Sequence, residues 1–409
     1  MQGMITRASA VFPVVVTIVS LGGVACSAGG PSSSETGDAS TDASAAYDGP
    51  FDLPDGHAVT LPLTGCGGPG YAAEFKVGSQ AFQLSVDTGS GTLAVAATSC
   101  DTCDVSPLYE PGSAAVDEQE QTSDDYLMGS WKGEVYSDSV RLLGLNEEVK
   151  MDLAAIDSQS AFFKDGGCAF GTIPFAPQGI VGFGPPGLSS PGTSAFWTKL
   201  TQSGAVRRVF AVEVCSSGGL LMVGGVDPAR GALRGPALYT PIADSSYYSV
   251  ALTDLQVSGV SLGFGASDFG TAAVDTGSSV LALPPAAFDA LESRIQSGAA
   301  FSTAFDGQKG WLGTTTCLTS SLDRAEIDSE LPTLTLAFPR VGGGTLALDL
   351  HATDSYLAPT VSGGTTYYCS GIFRSTGPTV LGTAVMAGHL VIFDLEEGKI
   401  GFAPQAFCP

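Results

Sequence analysis

Two copies of one short phrase constrain this chain more than any other feature. They are Ser85-Val86-Asp87-Thr88-Gly89-Ser90 and Ala273-Val274-Asp275-Thr276-Gly277-Ser278. In each, apolar residues with a β-branched valine lead into an aspartate and Thr-Gly-Ser follows, which reads as a buried strand ending in a tight loop. One Asp-Thr-Gly is common in turns and decides little. Two of them, 188 residues apart with matching flanks, point to a diverged duplication whose loops form two halves of one site. Each copy is also followed by a helix-like stretch (Ala195–Gln202, then Pro284–Ile295 with Pro at its start) and has an apolar-Gly segment (Gln178–Gly182 and Val380–Gly382).

At 409 residues the chain exceeds one compact core and suits two lobes. Gly-punctuated runs rich in Val, Thr, Phe and Tyr predict an all-β fold. The net charge of −24 would repel a polyanion, which argues against nucleic acid as a partner.

Residues 1–26 read as an export signal: Arg7, an apolar run, then Gly-Val-Ala before Cys26. Residues 27–56 form an acidic tether of Ser, Gly, Ala, Asp and Pro, too poor in large apolar side chains to fold. Ordered sequence is placed in an N-terminal β lobe (57–238) and a C-terminal β lobe (239–409). Of nine cysteines, Cys26 ends the signal and the other eight suit four disulfides in an oxidising compartment. Cys26 resembles the lipidated cysteine of bacterial lipoproteins, except that Gly23 stands where leucine is usual; plain cleavage and release is the alternative. The membrane enters only through that anchor.

The first ordered stretch, Tyr71–Gly78 and Ala81–Asp87, alternates apolar and polar residues across a turn and predicts a hairpin feeding the first Asp loop. Thr92–Ala97 is the next strand, leading to Cys100-Asp-Thr-Cys103. Zinc would want a second Cys or His pair at similar spacing, so this pair reads as a small structural disulfide. Asp124–Val140 gives two strand-like arms around a Met-Gly-Ser turn, a hairpin that either covers a cleft or lies on the surface.

Two carboxylates on facing loops can share one proton, because both cannot ionise cheaply at close range. One then serves as general base on a water while its protonated partner hydrogen-bonds a substrate carbonyl, and the roles exchange at the leaving amine. Ser90 and Ser278 are placed to hold the aspartates, and Gly89 and Gly277 let backbone approach them. His57, His351 and His389 occur in unrelated contexts, with no Gly-x-Ser-x-Gly elbow and no His-Glu-x-x-His, so serine, cysteine and zinc mechanisms lack their usual parts. Paired carboxylates also serve glycoside hydrolysis, which the Asp-Thr-Gly-Ser context does not suggest.

On these motifs the chain resembles the pepsin-like aspartic peptidases from Tyr71 to Cys408. The resemblance implies a bilobal fold with a cleft between two β lobes, a catalytic dyad of Asp87 and Asp275, and loop support from Thr88, Gly89, Ser90, Thr276, Gly277 and Ser278. It makes Gly129-Ser-Trp131-Lys-Gly133 through Val140 the second half of a flap, with Tyr126 as the flap tyrosine. It implies disulfides Cys100–Cys103, Cys317–Cys369 and Cys215–Cys408, and leaves Cys66 with Cys168. It further implies an endopeptidase of apolar preference and acidic optimum that needs no cofactor or metal, acts on peptides or proteins, binds pepstatin-type inhibitors and works as a monomer.

Three features depart from the family. Ala94 stands where a tryptophan often hydrogen-bonds the flap tyrosine. Leu127 and Met128 occupy a flap tip where small residues are usual. An acidic tether replaces the basic pro-segment of many members, so a zymogen of the usual kind is not expected; active enzyme whose N-terminus always lay far downstream of His57 would refute this. A binding or inhibitor protein that keeps the fold without turnover is the alternative, and both intact Asp loops weigh against it.

Overall fold

The computed structural model describes residues 58–66, 70–126, 129–163, 176–227, 235–362 and 364–405. Thirteen of the strands form one sheet. It begins at the edge with the hairpin Val116–Tyr126 and Gly129–Leu142, continues through Val149–Ser160, Leu93–Ala96, Gly179–Gly182 and Gln80–Asp87, and then takes in Gly70–Val77 and Val59–Cys66. From there it crosses Gly219–Val223 and Val209–Val214 to His389–Asp394, Lys399–Pro404 and Leu238–Pro241. The rest of the second half forms sheets of five, four and three strands.

Local sequence explains the first strands. In Gly70–Val77 and Gln80–Asp87, Phe75 pairs with Phe82 across an antiparallel ladder, and both rings are buried. Such a pair fixes register, because a one-residue slip would turn every apolar side chain to the opposite face. Leu93–Ala96 is buried throughout, as expected of a short strand covered on both faces.

The duplication is visible in the pairing. Gln80–Asp87 runs parallel to Gly179–Gly182, which is antiparallel to Leu93–Ala96. In the second half Thr271–Val274 runs parallel to Thr379–Leu381, which is antiparallel to Leu281–Leu283. Each half therefore ends its aspartate strand beside an apolar-Gly strand, and this architecture is the bilobal, mostly β fold of pepsin-like proteins.

Helices cover the sheets where the apolar spacing predicts them, at Phe196–Gln202 and Pro285–Gln296. The latter starts with proline and buries Phe288, Leu291 and Ile295, one stripe of its surface. A further helix, Arg324–Glu330, opens on Asp323, whose carboxylate accepts from Glu326 N–H in a capping box.

The halves meet over aromatic rings. Phe210 stacks on Phe393 with centroids 4.5 Å apart, and Trp197 meets Phe210 edge-on at 4.9 Å. The Tyr248 hydroxyl donates to the Phe183 carbonyl at 2.9 Å. Phe183 N–H donates to the carbonyl of Asp87 at 2.6 Å, and the Tyr248 carbonyl accepts from Val274 N–H at 3.0 Å. Tyr248 thus ties the ends of both aspartate strands to one buried ring.

Cys317 and Cys369 are opposed in an antiparallel pair and joined by a disulfide with Cα atoms 4.2 Å apart. Cys66 and Cys215 each take part in a separate disulfide. Cys168 and Cys408, their expected partners, lie outside the described residues, as do Cys26, the signal, the tether, Leu127 and Met128. Among the described residues no helix is long and apolar enough to cross a membrane.

Candidate active site

The two Asp-Thr-Gly-Ser loops face each other and are locked by their threonines. Thr88 N–H donates to Thr276 Oγ1 at 3.1 Å, and Thr276 N–H donates to Thr88 Oγ1 at 3.0 Å. Each hydroxyl then donates onward, Thr88 to the Val274 carbonyl at 2.8 Å and Thr276 to the Val86 carbonyl at 2.7 Å. Both threonines are buried. Four hydrogen bonds in a dry environment make a rigid, near-symmetric floor.

On that floor each carboxylate is held by the same pair of donors. Gly89 N–H donates to Asp87 Oδ1 at 2.7 Å and the Ser90 hydroxyl to Oδ2 at 2.5 Å. Gly277 N–H donates to Asp275 Oδ1 at 2.8 Å and the Ser278 hydroxyl to Oδ2 at 2.6 Å. The glycines also set the spacing between the halves. A Cβ on Gly89 would collide with the Asp275 carboxylate, and one on Gly277 with that of Asp87.

The symmetry breaks in burial. Asp87 is 4% exposed, whereas Asp275 is partly open. Burial pushes the Asp87 carboxyl well above the usual carboxylate range, the negative charge of Asp275 raises it further, and the Ser90 and Gly89 donors only partly offset this. Two carboxyls in this relation can hold one proton between them and present both an acid and a base to a bound molecule.

The hairpin over the first loop brings Tyr126 and Gly129 together at its end and Asp124 opposite Trp131. Burial, with Asp87 and Asp124 nearby, raises the Tyr126 phenol, so it stays protonated. Trp131 is buried in one small core with Ala94, Cys100, Ala154, Ile156 and Ile180, against which Tyr126, Phe162 and Phe163 pack. Ala94 and Trp131 thus share this core, and the indole in it comes from the hairpin itself. The Trp131 indole and the Ser90 hydroxyl are the polar groups that ease burial of the Tyr126 hydroxyl. Neither contact reaches full hydrogen-bond geometry.

Phe162 and Phe163 were not singled out from sequence. Phe162 lies 5.3 Å from the Tyr126 ring and 4.9 Å from Phe163, so three aromatics form a shelf whose member near Asp87 is Tyr126. The consecutive Phe-Phe was the available signal. Without a strand or helix period around it, it could not be assigned to a face. Cys100 and Cys103 are bridged with Cα atoms 5.5 Å apart, beside this shelf. Among the described residues no group of His, Cys, Asp and Glu is arranged to hold a metal ion.

A two-lobed β fold with one Asp-Thr-Gly-Ser loop from each lobe on a shared floor defines an aspartic-peptidase scaffold. The family described as eukaryotic aspartyl protease matches residues 70–405, and the chain belongs to that family. Its class is that of an aspartic-type endopeptidase. A beta-secretase of Strongylocentrotus purpuratus is 28% identical over 381 residues, covering 85% of this chain and 68% of the relative. An aspartic protease of Phaffia rhodozyma is 27% identical, covering 81% and 76%. Cathepsin E of Mus musculus is 27% identical, covering 82% and 80%.

Proposed function

We propose that the protein hydrolyses internal peptide bonds with a water held between Asp87 and Asp275, at acidic pH, and favours apolar side chains around the cut. The observation that carries this reading is the matched cradle: two carboxylates, each with one backbone and one hydroxyl donor, on a floor closed by Thr88 and Thr276.

The difference in burial supports the following resting roles. Asp87 holds the shared proton and Asp275, the more open carboxylate, takes a proton from the water as it attacks the carbonyl carbon. Asp87 passes its proton to the carbonyl oxygen, giving a tetrahedral diol. Asp275 then protonates the amide nitrogen, the C–N bond breaks, and Asp87 recovers a proton from a diol hydroxyl as the acid product forms. Thr88, Gly89, Ser90, Thr276, Gly277 and Ser278 hold the dyad, and Tyr126, Gly129 and Trp131 belong to the flap above it. No covalent intermediate is required.

The cycle needs one proton on the pair, so activity falls as pH rises through ionisation of Asp87. The same shift costs folded-state stability on that rise, since a carboxyl with a raised folded pKa favours the native state most when protonated. The apolar preference follows from the shelf of Tyr126, Phe162 and Phe163. One chain supplies both loops, which suits a monomer.

We further assign residues 1–26 to export, 27–56 to a tether, 57–238 and 239–409 to the lobes, and Cys26 either to lipid attachment or to release with the signal. Peptide cleavage that is blocked by a pepstatin-type inhibitor and lost in Asp87→Asn and Asp275→Asn is the expected result. Wild-type rates in either variant would sink the reading.

A further inference from the structure

Gln159 lies near the end of the strand Val149–Ser160, opposite Trp131 of the flap hairpin. Its backbone N–H donates to Thr102 Oγ1 at 3.0 Å, and its side-chain Nε2 donates to the Thr102 carbonyl at 2.6 Å. The other end of the same amide faces the shelf. Gln159 Oε1 accepts from Phe162 N–H at 2.8 Å and from Phe163 N–H at 3.3 Å. One side chain thus joins the small loop closed by Cys100–Cys103 to the backbone that carries two of the three shelf rings.

The turn that Gln159 holds does not favour itself. Ala161 sits at φ 54, in the left-handed region, which costs an L-residue about 1 kcal/mol. On its other side the turn lies close against the flap backbone, with room only for a glycine: a Cβ on Gly129 would stand 2.7 Å from the Ala161 carbonyl and from Phe162 N. A strained turn packed against the flap backbone keeps its position only if something outside it fixes the peptide groups. The Gln159 amide does so, with the disulfide loop as anchor.

We propose that Gln159 is a positioning residue for substrate selection: it fixes the pose of Phe162 against Tyr126, and the Cys100–Cys103 loop is the fixed point from which it does so. This rests on the peptidase reading above. Gln159 touches neither carboxylate, so its loss leaves the proton chemistry in place and weakens packing of an apolar substrate side chain on the shelf.

The test uses the full chain and two peptides that differ only in Phe or Ala at the residue before the cut. Gln159→Ala is expected to lower kcat/KM about tenfold for the Phe peptide, mainly through KM, and to leave the Ala peptide within about twofold. Gln159→Glu supplies a signature that a merely structural role would not move. While protonated, its carboxyl can donate to the Thr102 carbonyl and accept from Phe162 N–H, as the amide does. Once ionised, near pH ~4.3, it can no longer donate. Its Phe-peptide kcat/KM should match wild type at pH 3 and fall about tenfold below it by pH 5.5. The Cys100→Ser, Cys103→Ser double variant should give the same selective loss, and adding Gln159→Ala should deepen it little.

Equal losses on both peptides, a Gln159→Glu profile that tracks wild type, or fully additive losses each overturn the proposal. If wild type cuts and is inhibited but Gln159→Ala selects as wild type does, this inference alone falls. If wild type does not cut, both readings fall together.

Discussion

Gly89 of the first loop lies directly against Asp275 of the second: a Cβ at Gly89 would stand 2.6 Å from Asp275 Oδ1. The glycine fixes how closely the two carboxyls approach. Gly89→Ala is therefore expected to force the loops apart and reduce kcat/KM about 100-fold or more, the cost of a displacement near 1 Å in a reacting geometry. The backbone of Gly89 is not left-handed, so unfolding temperature should move by only a few degrees. Circular dichroism melts beside peptide kinetics would check this; near-wild-type activity would contradict it.

Thr88 and Thr276 predict the opposite balance. Thr88→Val deletes the donor to the Val274 carbonyl and the acceptor of Thr276 N–H, leaving two buried polar groups unpaired. A loss of about 2–4 kcal/mol in unfolding free energy follows, and Thr88→Ser should restore most of it. Denaturant titration of the two variants measures the difference.

Glu213 adds a pH dependence away from the dyad. It is buried on the strand Val209–Val214, accepts from Gln405 Nε2 at 2.9 Å, and burial pushes its carboxyl from 4.5 up to about 7. Below pH 4.5 the folded and unfolded forms are both protonated and the native state has its full stability. Between about 4.5 and 7 the unfolded chain releases the proton while the folded one retains it, so stability falls, by on the order of 3 kcal/mol. The raised Asp87 acts in the same direction. Thermal melts from pH 4 to 7.5 should show wild type weakening and Glu213→Gln weakening less; parallel curves would remove Glu213 as a cause.

Ala94 and Trp131 share one small core. Ala94→Trp should overfill it, at about 1–3 kcal/mol. Adding Trp131→Ala to Ala94→Trp should recover part of that loss, a coupling that a double-mutant cycle on stability reads directly. Full additivity would show that the two positions do not compete for the same space.

What could be read in advance follows from how local each signal is. The Asp-Thr-Gly-Ser loops repeat whole, and their strands alternate or run apolar over several residues, so Gln80–Asp87 and Thr271–Val274 were legible from pattern alone. The hairpin was legible near Tyr126 and Trp131 but not at its far end. Its first strand reaches back to Val116 through Asp, Glu and Gln, an exposed edge whose pairing leaves no apolar period. The partnership of Ala94 with Trp131 was hidden, because a missing side chain and its replacement lie 37 positions apart and only packing relates them. Gln159 was hidden for a related reason: its four hydrogen bonds go to backbone and to a threonine across a loop, which no residue spacing encodes.

The thirteen-stranded sheet has a consequence for how the chain is made. Val209–Val214 takes one neighbour from Gly219–Val223, within a short hairpin, and the other from His389–Asp394. Until the second strand has been synthesised, nearly two hundred residues later, the first half presents an apolar edge with free peptide groups. Such long-range closure slows folding and lengthens exposure to stray pairing. A nascent chain stalled before residue 389 should therefore depend on a holding chaperone to stay soluble, and release from it should coincide with entry of the last two strands.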